Sequence, residues 1–197
     1  MKDQLQFLIE GSVVERYHTR PGIKPQTNGH HQHEVAMLAS LLVSADGDGK
    51  STIRAELLLA CLTHDGAEQA SSDISTPSKV ALGIQQELHD FEQDKLRKYG
   101  MDYEQYLTND EYVVLQLADK LSLLLYCCRE LALGNRNVLL IWRRSCVVIE
   151  SLPGSGALPL EIALRASNVY EAIKEVYHEV RSENGPDFDV FKADAAP

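Results

Sequence analysis

The sequence has no apolar run long enough to cross a membrane, and it is poor in basic residues. Its hydrophobic stretches fall short of the roughly 18 residues that a membrane-spanning helix needs. Lys and Arg together number 19 against 29 Asp and Glu, which gives a net charge of −10. Proteins that bind nucleic-acid polymers usually present a basic face. We therefore expect neither a membrane span nor a polymeric nucleic-acid partner, although a metal and a few local cations can still hold a small phosphorylated ligand.

Cysteine is scarce, and several nucleophile and phosphate-binding motifs are missing. The four cysteines stand in apolar stretches without a CxxC pair, which is typical of reduced core thiols in a cytoplasmic protein. No GxSxG, P-loop or GxGxxG sequence occurs. Residues 1–11 are acidic and amphipathic and do not resemble a signal peptide. We therefore expect a cytoplasmic location. We expect neither catalysis by a serine nucleophile nor binding of a dinucleotide through these motifs.

Helical signals run through the whole chain and predict an all-α fold. The 197 residues suit one domain, which we place at residues 1–182, followed by a polar tail at residues 183–197. Apolar periodicity, caps and glycine stops predict a single bundle of about seven helices. The β-branched content of residues 138–149 leaves a strand open there. The predicted helices are 3–10, 31–43, 51–64, 76–99, 108–133, 138–149 and 159–181.

Caps and breakers indicate where these helices begin and end. Thr76 is expected to cap the fourth helix, with Pro77 in its first turn. The sequence Thr-Asn-Asp-Glu at 108–111 forms a capping box for the fifth helix. Residues 11–29 and 152–158 contain proline and glycine, so we expect loops in both places.

The stretch 57–68 (LLLACLTHDGAE) joins an apolar helix to two side chains of the kind that bind metals. His64 and Asp65 end the apolar run, and such side chains are costly to bury unless they are paired or bind an ion. Asp119 interrupts a second apolar helix in the same way. These interruptions predict a metal site at the ends or faces of buried helices.

Three histidines cluster at the start of the second predicted helix. His31 shares one buried stripe with Val35 and Leu38, whereas His30 and His33 lie on other faces. Two imidazoles and two carboxylates suit a divalent transition metal with open positions for water and substrate. The pattern leaves open whether His30 or His33 also contacts the ion. The predicted metal ligands are His31, His64, Asp65 and Asp119.

The order and spacing of these residues resemble the HD-domain metal-dependent phosphohydrolases. The resemblance extends to the 5′-deoxynucleotidase and deoxynucleotide triphosphohydrolase branch of that family and covers residues 12–125. That branch has an arginine–aromatic pair before the first histidine, matched here by Arg16-Tyr17. This chain departs from the family pattern at position 30, where the family usually has an acidic residue and this chain has His30. After the His-Asp pair the branch has residues matched here by Glu68, Asp73, Thr76-Pro77 and Lys79.

The resemblance implies roles for the matched residues. Glu68 lies one helical step beyond His64 and is the first candidate for general acid or base, with Asp73 as a second carboxylate that moves a proton or holds a sugar oxygen. Arg16 offers a planar fork for phosphate, and Lys79 lies near a helix start, which favours anions. Tyr17 is expected either to stack on a base or to pack as an aromatic residue of the loop. Thr19, Ile23 and Gln26 are candidates to line the base pocket.

The resemblance also implies a substrate class, a cofactor and an assembly. It implies hydrolysis of deoxynucleoside 5′-phosphates by metal-activated water, with Co, Mn, Zn or Mg as the ion. The sequence at 16–19 is similar to phage members that hydrolyse dATP, so we lean toward deoxyadenosine nucleotides, in the host cytoplasm if the chain is phage-encoded. A general 5′-deoxynucleotidase acting on dNMPs is the close alternative. A non-catalytic nucleotide-binding HD protein and a hydrolase of signalling or cyclic nucleotides are further ones.

The apolar helices after Gly134 suit a symmetric assembly, so we expect a homo-oligomer. Arg143-Arg144 is expected at the surface, with contact to a phosphate held by a neighbouring subunit as the alternative. His89 and His178 lie on polar helix faces, and we expect solvent around both.

Overall fold

The helix Asn109–Ala132 forms the centre of the structure, a computed structural model that describes residues 1–18, 21–43, 53–155 and 158–184. Two short 3₁₀ helices, Glu104–Tyr106 and Arg136–Val138, precede and follow it. The other elements are α1 (Lys2–Ser12), β1 (Glu15–Arg16), β2 (Gln26–Thr27), α2 (Asn28–Val43), α3 (Ala55–Thr63), α4 (Glu68–Ser71), α5 (Thr76–Leu82), α6 (Gln85–Lys98), α8 (Leu139–Ser155) and α9 (Leu160–Asn184), with the central helix as α7.

Helix α7 is central because it carries a continuous apolar face. Leu115, Ala118, Leu121 and Leu124 recur at three-residue spacing and are at most 1% exposed. They pack against α2, α3, α8 and α9 in one core. A smaller core around Phe7 joins α1 to α6. The all-α prediction is confirmed, and no helix in the described ranges is long and apolar enough to cross a membrane.

The start and end of α7 follow the predicted signals. Glu111 donates its backbone N–H to the Thr108 hydroxyl at 3.3 Å, and the Glu111 carboxylate accepts the Thr108 N–H at 2.9 Å. Both halves of the capping box are therefore formed. Gly134 follows the helix with φ of 88°, a left-handed conformation that glycine adopts without steric cost. The four cysteines, all within the described residues, are buried and form no disulfide, as expected.

The prediction of one helix at 76–99 is wrong, because the structure has two helices in this range. Gly83 has φ of 67° and ends α5, and α6 begins two residues later. The cap is also one residue earlier than predicted: Ser75 accepts the backbone N–H of Ser78 at 3.4 Å. Lys79 consequently lies in the last turn of a short helix, so the predicted attraction of an anion to a helix start does not apply to it.

Two predicted loops also contain regular structure. Residues 11–29 include the antiparallel strands β1 and β2, in which Arg16 pairs with Gln26. The second predicted loop, at residues 152–158, is helical as far as Ser155, because α8 continues through Pro153. Residues 138–149 are helical, as predicted, and do not form a strand. A proline near a helix end removes only one hydrogen bond, which a well-packed helix tolerates. The hairpin matters for function because it places Arg16 beside the start of α2.

Candidate metal centre and active site

Three of the predicted ligands converge where α2 meets the end of α3. His31 Nε2 lies 3.3 Å from His64 Nε2, and Asp65 Oδ2 lies 3.4 Å from the first nitrogen and 3.3 Å from the second. Their ligand atoms all lie within 4.8 Å of one another. His64 follows the last residue of α3, and the turn after it carries Asp65 back toward the same point. The fold therefore forms a compact group of two imidazoles and a carboxylate.

Asp119 joins this group from α7. Its Oδ1 lies 3.1 Å from His31 Nε2, on the more open side of the cluster, since 37% of the Asp119 side chain is exposed and His31 is fully buried. Burial raises the pKa of Asp119, but the interactions with His31 and His64 together outweigh burial, so the pKa lies below its ordinary value. His30 instead contacts Glu34 at 3.0 Å, and His33 is exposed. The stripe argument that selected His31 therefore agrees with the geometry.

The hydrogen bonds of the two imidazoles indicate that a cation fits between them. His64 Nδ1 lies 3.0 Å from the Cys61 carbonyl, which can only accept, so this nitrogen carries the proton and Nε2 presents a lone pair. His31 Nδ1 is likewise engaged, by Ser122 at 2.9 Å. Two imidazole lone pairs and two carboxylates then face one another. This donor set fits a divalent transition metal.

In the metal-free chain, a proton takes the place of that cation. Burial lowers the pKa of His64, but the charge of Asp65, the hydrogen bond with Asp65 and the charge of Asp119 together outweigh burial and raise the pKa to about 9. Asp65 shows the complementary effect. Burial raises its pKa, but the charges of His64 and Arg16 hold the pKa well below its usual range. The cluster therefore needs positive charge at its centre.

Arg16 lies behind the cluster rather than reaching out of it. It is 9% exposed, forms a short ion pair with Asp65, lies 3.7 Å from Glu68 and donates to Asn28 Oδ1 at 3.3 Å. Burial lowers the pKa of Arg16, but the charge of Asp65 and the other acidic groups nearby together outweigh burial, so the pKa is raised. This guanidinium neutralises the carboxylates of the site, which is a different use from the phosphate fork expected from the sequence.

Replacing Arg16 by Met should destabilise the metal-free protein by about 3–5 kcal/mol, because the ionised Asp65 would lose a buried partner. Urea unfolding at neutral pH measures this change. Arg54→Met is the matched control, since Arg54 forms an exposed ion pair with Glu111 that is worth at most about 1 kcal/mol. Equal losses in the two variants would show that Arg16 has no special role in the charge balance.

Glu68 lies at the start of α4, beside the cluster. It is 6% exposed and accepts a hydrogen bond from Asn28 Nδ2 at 2.9 Å. Burial, followed by the charge of Asp65, raises the pKa of Glu68 to about 8. The carboxyl group is therefore mostly protonated at neutral pH, which suits a proton donor.

Asp73 and Tyr17 are linked to each other. The backbone N–H of Tyr17 donates to Asp73 Oδ2 at 2.8 Å, and Tyr17 has φ of 57°, which is uncommon for a residue with a side chain. Its ring stacks on Tyr126 with the ring centroids 4.4 Å apart. These two contacts hold Tyr17 in a strained conformation at the edge of the site.

The cluster opens into a cavity of about 430 Å³. Thr19 lies outside the described residues. The residues expected to line a base pocket, Ile23 and Gln26, do not line this cavity, so that expectation is wrong for them. Gln26 is buried and bonds to Glu34 instead. The predicted site residues that do line it are Arg16, Tyr17, His64, Asp65, Glu68, Asp73, Lys79 and Asp119.

Comparison with known proteins identifies the family. Residues 5–146 match the family model described as 5′-deoxynucleotidase YfbR-like. The chain belongs to this family. It is an HD-domain phosphohydrolase of the 5′-deoxynucleotidase family, as the resemblance implied.

Individual relatives of this YfbR-like enzyme agree with that assignment. A 5′-deoxynucleotidase of Klebsiella pneumoniae subsp. pneumoniae is 25% identical over 144 residues, covering 65% of this chain and 72% of the relative. A 5′-deoxynucleotidase from Enterobacter sp. strain 638 is 25% identical over 155 residues, covering 71% of this chain and 78% of the relative.

Solved structures show the same fold. A cyanophage S-2L HD phosphohydrolase bound to dA and one catalytic Zn²⁺ gives a TM-score of 0.66 at 17% identity, covering 86% of this chain and 96% of that one. An HD-domain phosphohydrolase from Listeria innocua gives a TM-score of 0.66 at 19% identity, covering 93% of this chain and 90% of that one.

Several residues of the YfbR-like enzyme near the site were not expected from its sequence. Asn28 is fully buried and bonds to both Arg16 and Glu68, so it fixes their relative position. Gln116 lines the cavity three residues before Asp119, and the helical repeat of α7 was a signal for it. His89 and Arg144 are solvent-exposed as predicted but also line the cavity. The side chain of His178 lies outside the described residues.

Proposed function

We propose that this YfbR-like enzyme hydrolyses deoxynucleoside 5′-monophosphates to deoxynucleosides and inorganic phosphate with the help of a divalent metal ion. The observation that carries the proposal is a buried donor cluster beside a protonated Glu68, both facing one cavity. The curated 5′-deoxynucleotidases, of which the aligned regions cover 72–78%, support it. They favour this reading over the dATP triphosphohydrolase toward which the sequence leaned.

The proposed chemistry divides between the ion and the side chains. When bound, the ion would polarise a phosphoryl oxygen and would lower the pKa of a water molecule, so that hydroxide is available near neutral pH. The ligands would be His31, His64, Asp65 and Asp119, a set that accepts Co, Mn, Zn or Mg according to availability. As the water oxygen bonds to phosphorus, the phosphorus–O5′ bond breaks, and Glu68 gives its proton to the departing O5′.

The remaining cavity residues position the substrate in this proposal. Lys79 attracts the phosphate, while Arg16 keeps Asp65 and Glu68 in place. Asp73 accepts a hydrogen bond from a sugar hydroxyl in addition to the Tyr17 N–H that it already holds. The exposed part of the Tyr17 ring stacks on the nucleobase, because its other face is covered by Tyr126.

The charge of the cavity favours a monophosphate. Among the described residues, six acidic side chains line it, of which Glu68 is mostly protonated at neutral pH, against three Lys and Arg side chains, and Arg16 is already paired. A triphosphate carries more negative charge into this acidic surrounding than a monophosphate does, so it is less favourable there. The six carboxylate residues are Asp65, Glu68, Asp73, Glu92, Glu104 and Asp119.

A deoxyadenosine triphosphohydrolase is the second candidate. The cyanophage phosphohydrolase of similar fold was solved with dA and Zn²⁺. Gln116 on the cavity wall supports an adenine preference, because its side-chain amide offers both a donor and an acceptor to the adenine edge. Arg144 and His89 lie on the same cavity and would be needed to hold the extra phosphates.

A substrate panel should show release of deoxynucleoside and inorganic phosphate from dAMP, dGMP, dCMP and dTMP, with slower release from AMP and dATP. Chromatography of the nucleosides and phosphorus NMR of the products measure it, with Co, Mn, Zn or Mg added in turn. Tripolyphosphate from dATP without turnover of dAMP would replace the first candidate by the second. Turnover confined to a cyclic nucleotide would contradict both.

Exposed apolar side chains on α8 support the predicted homo-oligomer. Leu140, Val147 and Val148 are 55%, 65% and 43% exposed, which is unusual for neighbouring large apolar residues unless a second surface covers them. Light scattering at several protein concentrations gives the mass of the assembly.

A further inference from the structure

Glu34 lies at the centre of a polar network that none of the roles above uses. Its side chain is 11% exposed, and Oε2 accepts hydrogen bonds from Gln26 Nε2 and Ser122 Oγ, each at 2.9 Å. Oε1 forms a short ion pair with Arg129 and lies 3.0 Å from His30 Nε2. One carboxylate on α2 therefore holds the strand β2 and two positions of α7.

The direction of the hydrogen bonds in this network leads to the metal centre. Ser122 is fully buried and has a single hydroxyl proton. A carboxylate can only accept, so this proton goes to Glu34. The Ser122 oxygen is then the acceptor for His31 Nδ1, 2.9 Å away. His31 must carry its proton on Nδ1, and Nε2 presents its lone pair to His64, Asp65 and Asp119.

We propose that Glu34 is a positioning residue that acts through Ser122 to fix the tautomer and orientation of His31 and so sets the affinity of the site for its metal ion. The chain runs Glu34–Ser122–His31, and every link is a hydrogen bond of 2.9 Å between side chains that are buried or nearly so. Outer partners of metal-binding histidines commonly act in this way. The inference rests on the metal site proposed above and is independent of the substrate.

Glutamine at position 34 separates this role from simple packing. Glu34→Gln keeps the shape but adds an amide group that donates hydrogen bonds. If the amide donates to Ser122, the hydroxyl proton turns toward His31 Nδ1, and the imidazole proton moves to Nε2. A protonated Nε2 cannot bind a metal. The isosteric change should therefore weaken metal binding even though it leaves the side-chain volume almost unchanged.

The test measures the Zn²⁺ dissociation constant of the metal-free, full-length protein by competition with a chromophoric chelator. Glu34→Gln and Ser122→Ala are each expected to raise that constant by about 10–100-fold. The double variant should be no weaker than the weaker single variant, because both substitutions break the same chain. Glu111→Gln is the matched control, since Glu111 is 14% exposed and also pairs with an arginine, and it should bind Zn²⁺ like the wild type.

Two further readouts keep the result decisive. Nitrogen NMR of labelled histidine should show the His31 proton on Nδ1 in the wild type and on Nε2 in Glu34→Gln. Thermal unfolding of each metal-free variant identifies any that fails to fold, and Ser122→Ala is the smaller change. Unchanged Zn²⁺ affinity in folded Glu34→Gln and Ser122→Ala, or additive losses in the double variant, would overturn the proposal. Absence of Zn²⁺ binding by the wild type would instead overturn the metal site itself.

Discussion

Asp65→Asn should abolish tight metal binding and lower the turnover of deoxynucleoside 5′-monophosphates by at least about 1,000-fold. Asp65 Oδ2 lies 3.3 Å from His64 Nε2 and 3.4 Å from His31 Nε2, so it belongs to the most compact part of the donor cluster. The ion supplies several kcal/mol of transition-state stabilisation, and each 1.36 kcal/mol is a factor of ten in rate. Steady-state kinetics and chelator competition measure the two effects.

The control for this substitution is Asp94→Asn on α6. Asp94 is exposed and pairs with Arg97 at the surface, so its loss should change neither metal affinity nor turnover. The Asp65 variant also leaves Arg16 without its ion-pair partner, and a loss of stability is therefore expected alongside the loss of metal. An Asp65→Asn protein that folds, binds Zn²⁺ as tightly as the wild type and retains turnover would contradict the assignment of the site.

Glu68→Gln should lower the turnover number by about 10²–10⁴-fold while leaving metal affinity nearly unchanged. Glu68 lies next to the cluster and contacts Asn28 and Arg16, but it does not belong to the group of converging ligand atoms. Glutamine keeps the hydrogen bonds of the protonated acid but has no proton to give. Glu87→Gln, in the first turn of α6 and exposed, is the control and should behave as the wild type.

The pH dependence of the wild type carries the same test. Burial raises the pKa of Glu68 to about 8, so the acid form decreases above that pH, and turnover should fall with it. Between the ordinary range of a glutamate and about pH 8, the native state holds a proton that the unfolded state has already lost. The free energy of unfolding of the metal-free protein should therefore decrease as pH rises from the ordinary range of a glutamate through about 8.

The Gln variant removes both effects of this carboxyl group. Above about pH 8, metal-free Glu68→Gln should be more stable than the wild type, by about 1 kcal/mol or more. Urea unfolding across the range of about pH 5 to 9 measures it. An alkaline decrease in turnover that is the same size in the variant and the wild type would assign the proton to another group.

The sequence located the candidate metal centre because each of its parts has a local signal. His31 follows from a helical stripe, and Asp119 and the His64-Asp65 pair interrupt apolar runs. The structure brings these four residues together from three separate segments. Periodicity identifies the buried face of a helix, and a polar residue on that face already indicates where a partner must be found.

Other parts of the site depend on contacts between distant segments, which have no local signal. The use of Arg16 to balance Asp65 depends on a two-stranded hairpin too short for a strand pattern to reveal. The break at Gly83 has a local signal in the glycine itself, but an isolated glycine is also tolerated inside a helix, so the sequence does not decide between one helix and two. Glu34 has no local signal of its role, because its partners Ser122 and Arg129 lie about 90 positions away in the chain.

Metal titration of the metal-free protein, with bound ion and deoxynucleoside release followed in the same samples, tests the central claim most directly. Cobalt is suited to it, because its visible absorption reports coordination by nitrogen and oxygen ligands. We predict that dNMP turnover is absent without metal, rises in proportion to the ion bound and reaches its maximum when the site is full, while Asp65→Asn shows neither saturable absorption nor turnover. Equal turnover by the metal-stripped and the metal-loaded wild-type protein would contradict the account.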